Sequence, residues 1–136
     1  FAGRWTLTRK IIQRNGDVFA FMGEAEFSWL EGSEHEESRA LAYFENGEVT
    51  APNGHVMPAE RRYFWQQLQT GLFEVLFDDK RYFHSFSATN PNAEHLCGDD
   101  NYVVRYDFST WPVWRSTWKV IGPRKDYTMI SKYSPA

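Results

Sequence analysis

Hydrophobic and polar residues alternate from the start of the chain. In Gly3-Arg4-Trp5-Thr6-Leu7-Thr8-Arg9, Trp5 and Leu7 fall on one face and Thr6 and Thr8 on the other. A period of two predicts a half-buried β-strand. It continues through Ile11-Ile12 to Asn15-Gly16-Asp17, a strong hairpin signal. Val18 to Leu30 predicts the partner strand, with Phe21, Gly23, Ala25, Phe27 and Trp29 on one face. Gly and Ala between aromatics indicate a strongly coiled strand whose neighbours approach closely. The acidic run from Glu31 to Ser38 reads as a solvated loop.

Beyond that loop, Ala40 to Glu45 predicts a strand that Asn46-Gly47 turns back into Glu48-Val49-Thr50. Asn53-Gly54 and Pro58 punctuate the passage to Glu60–Gln69, where bulky aromatics and the following Gly71 favour a strand over a helix. Leu72 to Phe77 and Arg81 to Ser87 form a hairpin about Asp78-Asp79-Lys80, and Ala88 to Ala93 is a loop. His95 to Phe108 is extended but interrupted at Gly98-Asp99-Asp100-Asn101 by a bulge or tight turn. Trp111-Pro112 ends it. Trp114 to Ile121 then enters a closing hairpin whose turn, Gly122-Pro123, is followed by Arg124-Lys125-Asp126.

Nine or ten short strands joined by tight turns, without crossover helices, predict an antiparallel sheet. A sheet of that size closes or splits. Closure predicts a single up-and-down β-barrel over residues 1–136, its last strand paired with its first.

Composition sharpens this picture. Eighteen per cent of the 136 residues are aromatic, bulk that suits strands better than a helical bundle. A net charge of −3 argues against nucleic acid as a partner. No run of 18 apolar residues spans a membrane, and no cleavable signal opens the sequence. A lone cysteine, Cys97, cannot form an internal disulfide, which points to a reducing, cytoplasmic setting.

Carried along the chain, the alternation assigns Arg61, Tyr63 and Trp65 to the face of Trp5. Tyr82, His84 and Phe86 follow, then Tyr102, Val104 and Tyr106, and finally Trp114, Ser116 and Trp118. So many phenols, indoles and imidazoles make a poor dry core, because each unmet polar group costs about 1–3 kcal/mol. A lumen holding water or a small ligand removes that cost, and barrels of this strand number are wide enough for one. The lining predicted to bind is Arg61, Tyr63, Trp65, His84, His95, Tyr102, Tyr106 and Trp118. It suits a planar or aromatic molecule, with Arg61 meeting an anion.

Other chemistries compete for the same residues. His95-x-Cys97 with His84 offers metal-ligand types but no close pairs and no fourth ligand, so no metal or cofactor is assigned. A histidine could instead ligate haem or another tetrapyrrole. Cys97 with a histidine and Asp99 or Asp100 has a nucleophile's inventory. His95, Asp100 and Tyr102 could serve a small lyase or isomerase in acid–base roles. The expected partner is a small molecule, with a homodimer possible on sequence grounds. Arg124 in the closing turn is an alternative structural cation, stacked over Trp5 to seal the barrel.

Gly3-Arg4-Trp5 resembles the Gly-x-Trp motif of lipocalins and the wider calycins, and the stretch from Gly122 to Ser131 is similar to the last hairpin of bacterial lipocalins. A closer resemblance covers nearly the whole chain. Phe21-x-Gly23-x-Ala25-x-Phe27, Arg62, Phe64 and Trp65, Phe83-His84, His95-x-Cys97, Asp100-x-Tyr102, Trp111-Pro112 and Gly122–Tyr127 resemble a family of short calycin-like proteins of unknown function. The resemblance implies a calycin barrel and no established activity. Lipocalin-like ends would place a basic residue after Tyr133, where this chain has Ser134-Pro135. Arg124 or Lys132 would then have to substitute over Trp5.

Overall fold

The computed structural model describes residues 1–30, 39–68, 71–87, 89–97 and 99–136, and of Arg39, Leu96 and Cys97 the backbone alone. Ten strands follow one another: β1 (Gly3–Gln13), β2 (Val18–Trp29), β3 (Arg39–Thr50), β4 (Val56–Gln67), β5 (Phe73–Phe77), β6 (Tyr82–Phe86), β7 (Asn92–Cys97), β8 (Asp100–Asp107), β9 (Trp114–Ile121) and β10 (Asp126–Pro135). The predicted loop at Glu31–Ser38 lies outside the described residues. All pairings are antiparallel, in the order β6-β5-β4-β3-β2-β1-β10-β9-β8-β7. The last strand pairs with the first over nine positions, from Trp5 opposite Pro135 to Gln13 opposite Tyr127. The up-and-down barrel expected from the alternation is therefore present, closed where β10 meets β1. Its unpaired edges are β6 and β7, which meet through side chains rather than a ladder.

Alternation becomes burial. Trp5, Leu7 and Arg9 of β1, Val104 and Tyr106 of β8, Trp114, Ser116, Trp118 and Val120 of β9, and Met129, Ser131 and Tyr133 of β10 all face the interior. The residues between them face solvent or are only half-buried, as the two-residue period of a pleated strand requires.

Two local readings change. Asn46-Gly47 is not a turn: β3 runs straight through it, and Gly47 lies opposite Gly23 of β2. A Cβ on Gly23 would overlap the Asn46 carbonyl oxygen and sit 2.7 Å from the Gly47 Cα; a Cβ on Gly47 would likewise overlap the Met22 carbonyl. The glycine is there because two backbones touch, not because the chain reverses. Gly23→Ala and Gly47→Ala are each expected to cost about 2–3 kcal/mol, read as a lower urea midpoint at unchanged slope. Pro58, expected as punctuation, is carried inside β4 opposite Glu48.

The second change is a bulge. Val75 pairs with His84 but Leu76 pairs with Tyr82, so Phe83 is the extra residue. Tyr82, predicted to face inward, is therefore 52% exposed, while Phe83 is fully buried. One inserted residue reverses the facing of whatever lies beyond it. His95 to Phe108, expected as one interrupted stretch, is divided between β7 and β8, which pair with each other up to Cys97 opposite Asp100.

Trp5 marks the closed end. Its indole N–H donates to the Phe1 carbonyl at 2.8 Å, and its ring meets Trp111 and Trp114 at 5.6 and 5.9 Å. Phe1 sits among Phe27, Trp65, Phe73, Phe108 and Trp114. Arg124 cannot seal this end, because the Gly122–Lys125 turn joins β9 and β10 at the end where β1 reaches Gln13. Lys132 points outward and is exposed. Aromatic packing, not a stacked cation, closes the barrel over Trp5.

Candidate functional site

The interior is not the roomy lumen that the polar aromatics suggested. Rings interlock through it: Phe83 lies 6.1 Å from Tyr63 and 5.2 Å from Trp118, and Tyr106 stacks on Phe86 at 4.1 Å. The enclosed cavity is about 20 Å³, lined by Arg9, Glu45, Arg61, Tyr63, Tyr106 and Trp118 among others. That is room for about one water, against the few hundred Å³ of a pocket that engulfs a ligand.

At the bottom of this cavity lies a buried ion pair. Arg9 on β1 donates from Nη1 and Nη2 to the two Glu45 carboxylate oxygens at 2.5 and 3.0 Å, and from Nε to Ser131 Oγ at 2.7 Å. Tyr43 donates its hydroxyl proton to Glu45 Oε1 at 2.7 Å. Tyr43 and Tyr133 hydroxyls are 2.8 Å apart, so with the Tyr43 proton committed to Glu45, Tyr133 is the donor. Burial works against the Arg9 charge, but the Glu45 carboxylate more than offsets it and raises the guanidinium above its ordinary value. Burial pushes the Tyr133 phenol up to about 12 and that of Tyr43 well above its usual range. The sequence reading missed this cluster. The two-residue period already put Arg9 on the face of Trp5 and Leu7, and Glu45 on that of Leu41 and Tyr43. The misplaced turn at Asn46-Gly47 hid the second.

Arg61 is the residue this pairing leaves over. It stands opposite Glu45 on the neighbouring strand, but both Glu45 oxygens are taken by Arg9 and Tyr43. Among the described residues Arg61 forms no ion pair. Half-buried, it lines the cavity with Tyr63, Trp65, Tyr106 and Trp118. Burial raises the Tyr63 and Tyr127 phenols, while the Arg61 charge beside them pulls the other way. Both phenols therefore stay protonated at neutral pH and can donate hydrogen bonds. Arg9 and Glu45 cancel, which leaves Arg61 as the cavity's cation without an ion pair among the described residues.

The remaining predicted residues part company: Tyr102 stands near Trp118, whereas His95 and His84 lie elsewhere. Tyr102 is 6.5 Å from Trp118 and 5.5 Å from Phe83. Lys125 donates to the Tyr102 hydroxyl at 3.2 Å and lies 3.2 Å from the Asp100 carboxylate. His95 is opposite Tyr102 across β7 and β8 and packs against Phe83 and Tyr82 of β6 at 5.6 and 6.2 Å. Tyr102 and Asp100 thus converge on Lys125. His95 belongs to the β6–β7 contact. The Cys97 side chain, invoked for metal or nucleophilic chemistry, lies outside the described residues. Among the described residues no three His, Cys, Asp or Glu side chains gather to hold a metal ion.

His84 is enclosed. Its Nε2 is 2.8 Å from the Tyr106 hydroxyl, and its Nδ1 has no hydrogen-bond partner among the described residues, nor has Trp114 Nε1. Such orphaned buried atoms cost about 1–3 kcal/mol each. Burial, assisted by His95, lowers the His84 pKa to about 3, so the imidazole is neutral. Haem ligation through it would require Nε2 to leave Tyr106 or iron to reach the enclosed Nδ1.

A family model described as a family of unknown function (DUF6314) matches residues 1–135. No curated protein matches the chain. Among solved structures, the chain is similar to the S-type phycobiliprotein lyase CPES from Guillardia theta. The TM-score is 0.59 at 8% identity, over 99% of this chain and 88% of that one. At that identity the likeness is one of fold alone.

Proposed function

The chain belongs to the family of unknown function DUF6314, whose description carries no activity, and we propose from the site itself that the barrel binds a small planar anion at its Arg61 mouth. One observation carries this reading. Arg61 is a half-buried cation lining the cavity, and Glu45, the carboxylate opposite it on β3, is consumed by Arg9. A guanidinium in partly desolvated surroundings favours a carboxylate, sulfonate or phosphate held bidentately. The protonated phenols of Tyr63 and Tyr127 add donors, and Trp118 and Tyr102 offer ring faces for a flat body.

The test uses two probes that share a ring system. 1-Anilinonaphthalene-8-sulfonate carries the anion, and N-phenyl-1-naphthylamine lacks it. The native protein is expected to bind the sulfonate at least tenfold tighter, and Arg61→Gln to erase that preference with circular dichroism unchanged. Equal affinity of the native protein for both probes would remove the anion from the reading.

A tetrapyrrole is the specific member of this class that the shared fold favours, since the structural neighbour is a phycobiliprotein lyase. Such a molecule is conjugated, flat and carries carboxylates. Titration with biliverdin, followed by visible absorption, tests it directly; an unperturbed spectrum at micromolar protein sets it aside.

A further inference from the structure

We propose that β6 parts from β7 to admit a flat conjugated ligand into the barrel, where His84 Nδ1 and Trp114 Nε1 hydrogen-bond its polar ring atoms. This rests on the reading that the barrel binds a planar molecule, and it adds an inner seat and an entrance to the Arg61 mouth.

The entrance follows from topology. Every other junction around the barrel is a hydrogen-bonded ladder, whereas β6 and β7 are the two ends of the sheet order. Among the described residues no backbone hydrogen bond joins β6 to β7. Among the described side chains, His95 of β7 packs on Phe83 and Tyr82 of β6. The strand is also short, five residues with a bulge in its pairing to β5. Opening here breaks side-chain contacts and leaves all ladders intact, so this is the junction of least resistance.

The seat follows from the unpaired atoms. His84 and Trp114 are 1% and 0% exposed, and their free nitrogens are the two buried side-chain polar atoms without a partner among the described residues. They flank one ring: Tyr106 lies 5.8 Å from His84 and 6.3 Å from Trp114. The present cavity is walled by Tyr106, Trp118 and Tyr133. Trp118 in turn touches His84, and Tyr133 stacks on Trp114 at 3.8 Å. Enlarging that cavity to ligand size must move these rings, which are the ones packed against His84 and Trp114. Native proteins seldom leave such groups unmet unless they have a further role.

The chemistry narrows the ligand. An indole N–H only donates, so the ligand must present an acceptor, a carbonyl or an imine-type nitrogen, to Trp114. His84 Nδ1 donates or accepts according to the direction of the Nε2–Tyr106 bond, and so meets either a ring N–H or a second acceptor. A conjugated heterocycle with both ring C=O and ring N–H, ending in an anion for Arg61, satisfies every group.

Biliverdin is the probe, with 15N-labelled native protein. The Trp114 indole N–H resonance, assigned with Trp114→Phe, is expected to move downfield at saturation. In the free protein, β6 amides should exchange faster than those of β1, and biliverdin should slow them. Trp114→Phe should weaken biliverdin at least tenfold with circular dichroism unchanged. Biliverdin binding with the Trp114 resonance and β6 exchange unchanged would overturn the inner seat and leave the Arg61 reading standing. Failure of biliverdin to bind, with the sulfonate probe bound, would overturn it equally.

Discussion

Glu45→Leu is expected to destabilise the barrel by about 3–5 kcal/mol, a large part of the 5–15 kcal/mol that typical domains possess. The change removes the partner of an Arg9 guanidinium that is itself 6% exposed, and an arginine cannot shed its proton to escape. It also strips the Tyr43 hydroxyl of its acceptor. Arg9→Met should be milder, since the carboxyl left behind can take up a proton where a guanidinium cannot lose one. The double variant Arg9→Met with Glu45→Leu should recover most of the loss, because two apolar chains in place of a buried pair are often neutral. Ser131 and Tyr43, left without their partners, would keep a residual cost of about 1 kcal/mol each. Urea unfolding of the four proteins gives the coupling energy directly. If Glu45→Leu and the double variant were equally unstable, the pair would not be holding the barrel as argued.

That experiment also separates structure from function within one cavity. Arg9 and Arg61 both line it, but Arg9 is committed to Glu45 and Ser131. Replacing Arg9 should lower stability, and replacing Arg61 should lower affinity.

Strand positions were legible in the sequence wherever a two-residue period ran unbroken. Trp114–Ile121 is a strand with the predicted bounds, and Trp114, Ser116 and Trp118 all face inward. What the sequence hid were events that break the period or depend on another strand. Asn46-Gly47 carries the same letters as a hairpin turn, and only the presence of Gly23 across the ladder says otherwise. The bulge at Phe83 is set by the pairing of β5 with β6, and it moved Tyr82 outward. Of the predicted lining, Arg61, Tyr63, Trp65, Tyr106 and Trp118 wall one cavity, with His84 bonded to Tyr106 behind it. The size of that cavity was not legible, because alternation gives the face of a ring and not how far it reaches across a barrel. The position of Arg124 failed for a simpler reason. A turn's end of the barrel follows from the register of β10 on β1, which no local pattern states.

Acid should unfold this protein through His84. The folded pKa is lowered to about 3 from an ordinary 6.5, so below pH 6.5 the unfolded chain takes a proton that the folded barrel refuses. Stability is therefore full above pH 6.5 and falls as the pH drops toward 3. At 1.36 kcal/mol per pH unit, roughly 2–3 kcal/mol should be gone by pH 4.5. The His84→Phe, Tyr106→Phe double variant removes both the titrating ring and the phenol that would lose its partner. It should lack this component of the pH slope while keeping whatever the carboxylates contribute. Urea midpoints of the two proteins between pH 7 and 4.5 decide the matter, and parallel curves would exonerate His84. A direct readout accompanies it. His84 packs on Phe83, which in turn meets His95 of β7, so protonating His84 would put a buried charge beside the junction that no ladder holds. Hydrogen exchange of β6 should then quicken with falling pH before global unfolding begins, and faster in the native protein than in the variant.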